Sequence, residues 1–262
     1  PGALLLAACM STLLLSLVLS QRRDVAGIWA VVLLVVALLL LASYVWRANR
    51  VPEPIIRPAL FADARFAIPN MLNVLANLAS FSILLLTPYY LANVLKLTPL
   101  GIGIVLAMTF GGSLTGAPLS AFLVRRIGQR PTVFAGVAFV GLGLLPLAFT
   151  GIDTAVLLVA ALLVLQGIGQ GLLVVAYTDI VTATLPPRDR GVAGSLSLLT
   201  RTLGTVSGAS VLTALQAYGA EGFAGAAGFL AGYQFAFMVA GGGLLVALLL
   251  SCLWPRAWSA TH

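Results

Sequence analysis

Residues 67–94 read AIPNMLNVLANLASFSILLLTPYYLANV, a stretch with no Asp, Glu, Lys or Arg. A bilayer core about 30 Å thick needs roughly twenty predominantly apolar residues in a helix rising 1.5 Å per residue, so this run can cross one. Lipid cannot satisfy backbone N–H and C=O groups, and the run lacks the short alternating pattern of barrel strands, which leaves the α-helix. Applied outward, the same test finds runs at 2–20, 26–46, 101–124, 132–150, 155–178, 191–217 and 232–254, one of them holding the single charge of Arg201. The sequence predicts an all-α integral membrane protein of about eight transmembrane helices.

Composition agrees. Of 262 residues, 61% are hydrophobic and 8% charged, where soluble domains have about 45–50% and 25%. Lys and Arg number 14 against 7 Asp and Glu, a net charge of +7. These basic residues are too sparse along an apolar chain to form a phosphate-binding face, so the expected partner is the lipid bilayer and not nucleic acid. Cys9 and Cys252 both sit inside apolar runs, which argues against a disulfide framework. A soluble enzyme, a disordered tail, a zinc module and a secreted disulfide scaffold are excluded together.

The chain opens on Pro1 with an apolar run directly behind it. Leu6-Ala7-Ala8-Cys9 has the look of a lipoprotein cleavage site, but the apolar stretch continues past the cysteine, the wrong order for a signal peptide. The start reads as a segment internal to a longer polytopic protein. Short loops rich in Lys and Arg stay in the cytoplasm, and the basic residues here alternate cleanly between loops. With the first residues inside, inner segments hold ten of the 14, among them Arg47, Arg50, Arg57, Arg65, Arg125, Arg126, Arg130, Arg188, Arg190 and Arg256. Outer loops hold Arg22, Arg23 and Lys96. Both ends are thereby expected in the cytoplasm, in the plasma membrane. The inner segment 47–66 carries Pro52, Pro54 and Pro58 and divides a helix pair, 1–46, from six further spans, 67–262.

Within the spans, polar residues fall on faces. Asn70, Asn73, Asn77 and Ser80 are spaced by three, four and three, one side of a helix. Such a stripe faces either a water-filled cavity or a neighbouring helix to which it hydrogen-bonds. Gln166, Gln170 and Tyr177 form a looser stripe among Gly167, Gly169 and Gly171. Those glycines follow no strand, so a nucleotide loop is not indicated; close helix packing is, as for Gly112 with Gly116 and Gly204 with Gly208. Arg201, ten residues past Gly191, lies about 15 Å into its span, too deep to reach water by snorkelling. Ser197 and Thr205 share its face one turn either side. Two readings stay open for Arg201: a functional charge in a wet cavity, or a structural contact with buried carbonyls.

Catalytic chemistry has no obvious carrier. The one histidine, His262, is the last residue, so neither a His-rich metal cluster nor a buried nucleophilic triad is expected, and no cofactor is implied. Asp24, Asp153 and Glu221 fall on outer loops, and Glu53, Asp63 and Asp189 on inner ones. Asp179, near the inner end of its span, reads as a local partner of a cytoplasmic arginine such as Arg188. No acid lies deep enough to carry a proton.

Pro118 and Leu119 followed by Arg126, Gly128 and Arg130 resemble the inner-loop motif of the major facilitator superfamily, G-x-L-x-D-R-x-G-R-R, in its degenerate second-half form. Leu60-Phe61, Arg65-Phe66, Pro88, Tyr90, Thr98-Pro99, Gly103, Leu185-Pro186-Pro187, Gly191, Ala193-Gly194, Arg201, Leu203-Gly204 and Gly208 follow in the order of the fourteen-helix, EmrB/QacA-type drug:proton antiporters. This resemblance covers nearly the whole chain. It implies the extra helix pair followed by the C-terminal six-helix bundle, with the N-terminal bundle missing. It further implies proton-coupled efflux of amphipathic or cationic drugs, for which the polar stripes, Asn70, Asn73, Asn77, Ser80, Gln166, Gln170, Tyr177, Ser197, Arg201 and Thr205, would line one wall of the cavity. Arg125, Arg126, Gly128 and Arg130 become the cytoplasmic gate loop. Arg125 stands where the motif has Asp, which puts that loop's charge pairing in doubt. The competing class is a polytopic protein without transport, an accessory or structural subunit, with a membrane enzyme disfavoured by the missing His and deep acids.

Overall fold

The computed structural model describes residues 2–19, 26–48, 50–51, 63–184, 190–222 and 225–253. Arg22, Arg23, Arg57, Arg188, Arg256 and most of the segment 47–66 lie outside them, as does the proposed Asp179–Arg188 pair. The described residues form eight α-helices: α1 Gly2–Leu19, α2 Ala26–Ala48, α3 Ala64–Asn93, α4 Pro99–Ile127, α5 Gln129–Leu144, α6 Val156–Thr184, α7 Arg190–Gly219 and α8 Gly225–Cys252. Six of them, α2 to α6 and α8, are long and apolar enough to cross a membrane. α7 falls outside that group because its run of Ser, Thr and Gly around Arg201 lowers its hydropathy. Several helices run past the predicted spans, α8 by seven residues at its start, since apolar runs mark the hydrocarbon core while helices continue through the interface.

Local chemistry sets the joints. α3 stops in a Schellman-type turn, with the N–H of Leu97 donating to Leu91 O at 3.0 Å and Lys96 in the left-handed region at φ 54°. Thr98 then caps α4, its hydroxyl accepting from the Gly101 N–H at 3.3 Å, and Pro99 occupies the first turn, where its missing N–H costs nothing. α4 and α5 meet at Gly128 alone, whose φ of 89° suits a residue without Cβ, with its N–H donating to Val124 O at 3.0 Å. α5 tightens into a 3-10 turn, Leu145–Phe149, at Pro146.

Helices α3 to α8 pack as a bundle, with α6 wedged between α4 and α5, and α7 against α3. α1 and α2 pair with each other, and α1 touches α7. In lipid, helices associate through close van der Waals packing, which small residues permit. A Cβ on Gly112 would fall on the Val164 carbonyl, one on Gly116 on the Ile168 carbonyl, and one on Gly167 on the Thr109 carbonyl, so α4 and α6 are in backbone contact. Gly204 and Gly208 bring α7 equally close to Val74 and Leu78 of α3. One end of the bundle is tied by Tyr90 stacked on Tyr233 at 4.6 Å, with the Tyr90 hydroxyl donating to Gly151 O at 2.8 Å and Gln234 Nε2 to Thr150 O at 2.8 Å.

Candidate functional site

Gly204 and Gly208 matter to the site because they let α7 approach α3 closely enough for side chains to bond across the seam. Asn70, Asn73 and Asn77 are 4%, 3% and 3% exposed, so the amide stripe of α3 turns inward. Unpaired amides there would each cost about 1–3 kcal/mol, and the structure pairs them. Gln166 Nε2 donates to Ser80 Oγ at 2.9 Å, Ser80 Oγ to Gln170 Oε1 at 3.2 Å, and Gln170 Nε2 to Asn77 Oδ1 at 3.2 Å. Asn77 Nδ2 donates to Asn73 Oδ1 at 3.1 Å, and Asn73 Nδ2 to Thr200 Oγ1 at 3.0 Å. Thr200 closes the run by donating to Leu196 O at 3.1 Å. The chain is head to tail across α6, α3 and α7, so each amide's orientation follows from its neighbour's. Beside it, the Tyr177 hydroxyl donates to Asn70 Oδ1 at 2.7 Å and lies 3.0 Å from Thr200 Oγ1, while Asn70 Nδ2 donates to Phe66 O at 2.7 Å.

In front of this network lies a pocket of about 170 Å³, lined by Asn73 and Asn77 of α3, Tyr177 and Thr178 of α6, and Ser197 and Arg201 of α7, with Val174 and Leu198 as its apolar walls. Arg201 is exposed and has no hydrogen-bond or ion-pair partner among the described residues. Among the described residues Ser197 Oγ is buried and unpartnered. The pocket sits in the half of the bundle that contains the Gly128 joint, and the Tyr90–Tyr233 stack in the other half.

Five of the ten cavity residues expected from sequence therefore meet in one pocket: Asn73, Asn77, Tyr177, Ser197 and Arg201. Asn70, Ser80, Gln166 and Gln170 form the hydrogen-bonded layer beside and behind it, with Gln166 Oε1 left unpartnered. Thr205 is in neither group; its hydroxyl donates to its own helix, at Arg201 O and Thr202 O. The amide stripe bonds across the helices, and two of its members, Asn73 and Asn77, also line the pocket. Thr200 was missed, and it joins all three helices; a threonine in a helix ordinarily bonds its own preceding turn, so its type gives no signal. Thr178, exposed beside Tyr177, was missed for the same reason.

In the loop region, Arg125 and Arg126 are exposed in the last turn of α4, where cations favour the helix dipole, and the Arg126 guanidinium lies 5.0 Å from the Phe122 ring centroid. Gly128 makes the turn, and Thr132 Oγ1 donates to its carbonyl at 2.7 Å. Arg130 is half-buried at the start of α5. Among the described residues no group of three His, Cys, Asp or Glu is placed to hold a metal ion.

Fold and site define a polytopic helical membrane protein with a polar pocket set into one face of its bundle. The chain belongs to the Major Facilitator Superfamily, whose sequence profile matches residues 70–257. It is 26% identical over 82% of its length to the tetracenomycin C resistance and export protein of Streptomyces glaucescens, of which it covers 40%. It is 27% identical over 80% of its length to the multidrug resistance protein Stp of Mycobacterium tuberculosis, covering 39%. With the riboflavin transporter RibZ of Clostridioides difficile it shares 24% identity over 78% of its length and 43% of that protein. Among solved structures it is similar to the inward-open xylose transporter XylE of E. coli, with a TM-score of 0.56 at 18% identity, over 75% of this chain and 48% of that one. The chain thus spans about two-fifths of the curated relatives it matches.

Proposed function

We propose that this chain is the C-terminal portion of a secondary transporter that exports amphipathic or cationic drugs by proton-coupled alternating access. Residues 1–46 are the extra helix pair, 47–66 the cytoplasmic linker and 67–262 the C-terminal bundle. Both ends lie in the cytoplasm, and the membrane is the plasma membrane. The observation that carries this reading is the convergence of Asn73, Asn77, Tyr177, Ser197 and Arg201 on one pocket at the meeting of α3, α6 and α7. Secondary transporters bind substrate near the midplane between two bundles, and in this reading the pocket forms one wall of such a site. The names of the export and multidrug-resistance relatives support efflux as the direction.

In this account the second bundle supplies the opposite wall and the proton-carrying acid. Asp179 does not line the pocket, and among the described residues none that lines it is an acid. The Gly128 joint, flanked by Arg125, Arg126 and Arg130, serves as the cytoplasmic gate loop. Arg201→Leu in the complete transporter is expected to impair efflux while leaving membrane insertion intact. Normal efflux by a correctly inserted Arg201→Leu protein would return Arg201 to a structural role and remove the pocket from the transport path.

A further inference from the structure

The direction of the hydrogen bonds around the pocket limits what it can hold. Asn73 Oδ1 accepts from Asn77, and Asn77 Oδ1 accepts from Gln170, so both amide oxygens nearest the pocket are engaged. The Tyr177 hydroxyl lies between Asn70 and Thr200, and the Thr178 hydroxyl donates to Val174 O at 2.7 Å. The polar groups left over are the Arg201 guanidinium and the Ser197 hydroxyl. A guanidinium offers five N–H donors and no acceptor. Among the described residues no acidic side chain lines the pocket to offset it. Asp179 follows Thr178 on α6, about 100° further round the helix, and stays outside the lining.

We infer that this wall binds the anionic oxygen end of the substrate, a carboxylate or ionised phenol, by charge-assisted hydrogen bonds from Arg201, and repels a cationic end. The inference rests on the reading of the pocket as a substrate wall and narrows it. An amphipathic drug that carries a cation is then oriented with that end away from α7, toward the second bundle. A planar guanidinium matches a carboxylate in bidentate geometry, and such bonds are roughly twice as strong as neutral ones. Val174 and Leu198 flank the charge, so the group next to the anion is apolar.

The test uses the complete transporter in nanodiscs and three coumarin probes that differ only in one end group: carboxylate, carboxamide or trimethylammonium. Binding is read by fluorescence anisotropy for the native protein and for Arg201→Gln, Arg201→Lys and Leu198→Trp. Among the described residues Arg201 has no partner, and Leu198 is exposed, so these variants leave the packing intact. Arg201→Gln is expected to weaken the carboxylate probe about tenfold or more, to move the carboxamide less, and to leave the trimethylammonium probe unchanged or tighter. Arg201→Lys should restore part of the carboxylate preference. Leu198→Trp, which fills the pocket, should weaken all three probes. If Leu198→Trp weakens all three while Arg201→Gln shifts them equally, the charge preference is wrong and the substrate wall stands. If Leu198→Trp moves none of them, the pocket is not a substrate wall and the inference falls with it.

Discussion

Thr200→Val isolates one hydroxyl at the point where α3, α6 and α7 meet. Valine keeps the shape of threonine, so no cavity opens. What changes is that Asn73 Nδ2 loses its acceptor at 3.0 Å and the Tyr177 hydroxyl loses one of its two neighbours, keeping Asn70 Oδ1 at 2.7 Å. Orphaning a buried donor costs about 1–3 kcal/mol in protein interiors, whereas hydrogen bonds between membrane helices average about 0.6 kcal/mol and reach about 1.7. Thr200 is 6% exposed and Asn73 3%, so water reaches the orphaned donor only through the pocket that Asn73 lines. Thr200→Val should therefore destabilise by about 1–2 kcal/mol, near the top of the membrane range. Thr205→Val is the internal control. Its hydroxyl bonds only its own helix, so the cost should stay within about 0.5 kcal/mol. Both are measured by unfolding the purified protein in mixed micelles with rising SDS and following far-UV circular dichroism. A double-mutant cycle of Thr200→Val with Asn73→Leu should then show a coupling of about 1 kcal/mol. Equal stabilities for the Thr200 and Thr205 variants, or no coupling, would refute the hydrogen-bonded seam.

The close helix contacts make a matching prediction. Gly112→Ala places its Cβ on the Val164 carbonyl and should cost about 1–3 kcal/mol in the same assay, whereas Gly103→Ala, with nothing within 4 Å, should be neutral or slightly stabilising. For topology, single cysteines at Arg50 and Arg126, in a background lacking Cys9 and Cys252, should react with an impermeant thiol reagent from the cytoplasmic side, and one at Lys96 only from outside; labelling at 96 from inside alone overturns the orientation. On the proposed reading the 262-residue chain reconstituted by itself in liposomes should not accumulate a fluorescent lipophilic cation under a proton gradient, because the opposite wall of the site and the proton-carrying acid would belong to the second bundle. Gradient-driven accumulation above empty liposomes would show that this portion is sufficient.

Much of the fold is legible from the chain because the relevant signals are local. Charge-free length locates the helices, and the 3.6-residue period puts Asn70, Asn73 and Asn77 on one face. Depth within a span singles out Arg201. Which helix faces which is a tertiary fact, and that is where the sequence falls silent. Ser80 reads as a cavity residue by spacing, yet it lies between Gln166 and Gln170 because α6 passes directly behind it. Thr205 shares a face with Arg201 on a helical wheel, but the pocket ends before that turn. Thr200 is invisible for the opposite reason, since its role depends on Asn73 and Tyr177, 127 and 23 residues away. The glycine cluster of α6 is informative only as a hint of close packing. Its division, with Gly167 and Gly171 against α4 and Gly169 against α5, follows from neighbours the local sequence does not specify.

On the proposed reading the pocket between α3, α6 and α7 opens into the substrate path. Cysteine accessibility at its rim tests this most directly. Thr178 and Leu198 line the pocket and are exposed, while Leu157, also on α6 and 81% exposed, lies outside it on a surface suited to lipid. In the complete transporter lacking Cys9 and Cys252, Thr178→Cys and Leu198→Cys should react with a membrane-impermeant methanethiosulfonate, and a transported compound should slow both reactions. Leu157→Cys should stay unreactive. Unreactive cysteines at 178 and 198, or labelling that no transported compound slows, would contradict the account.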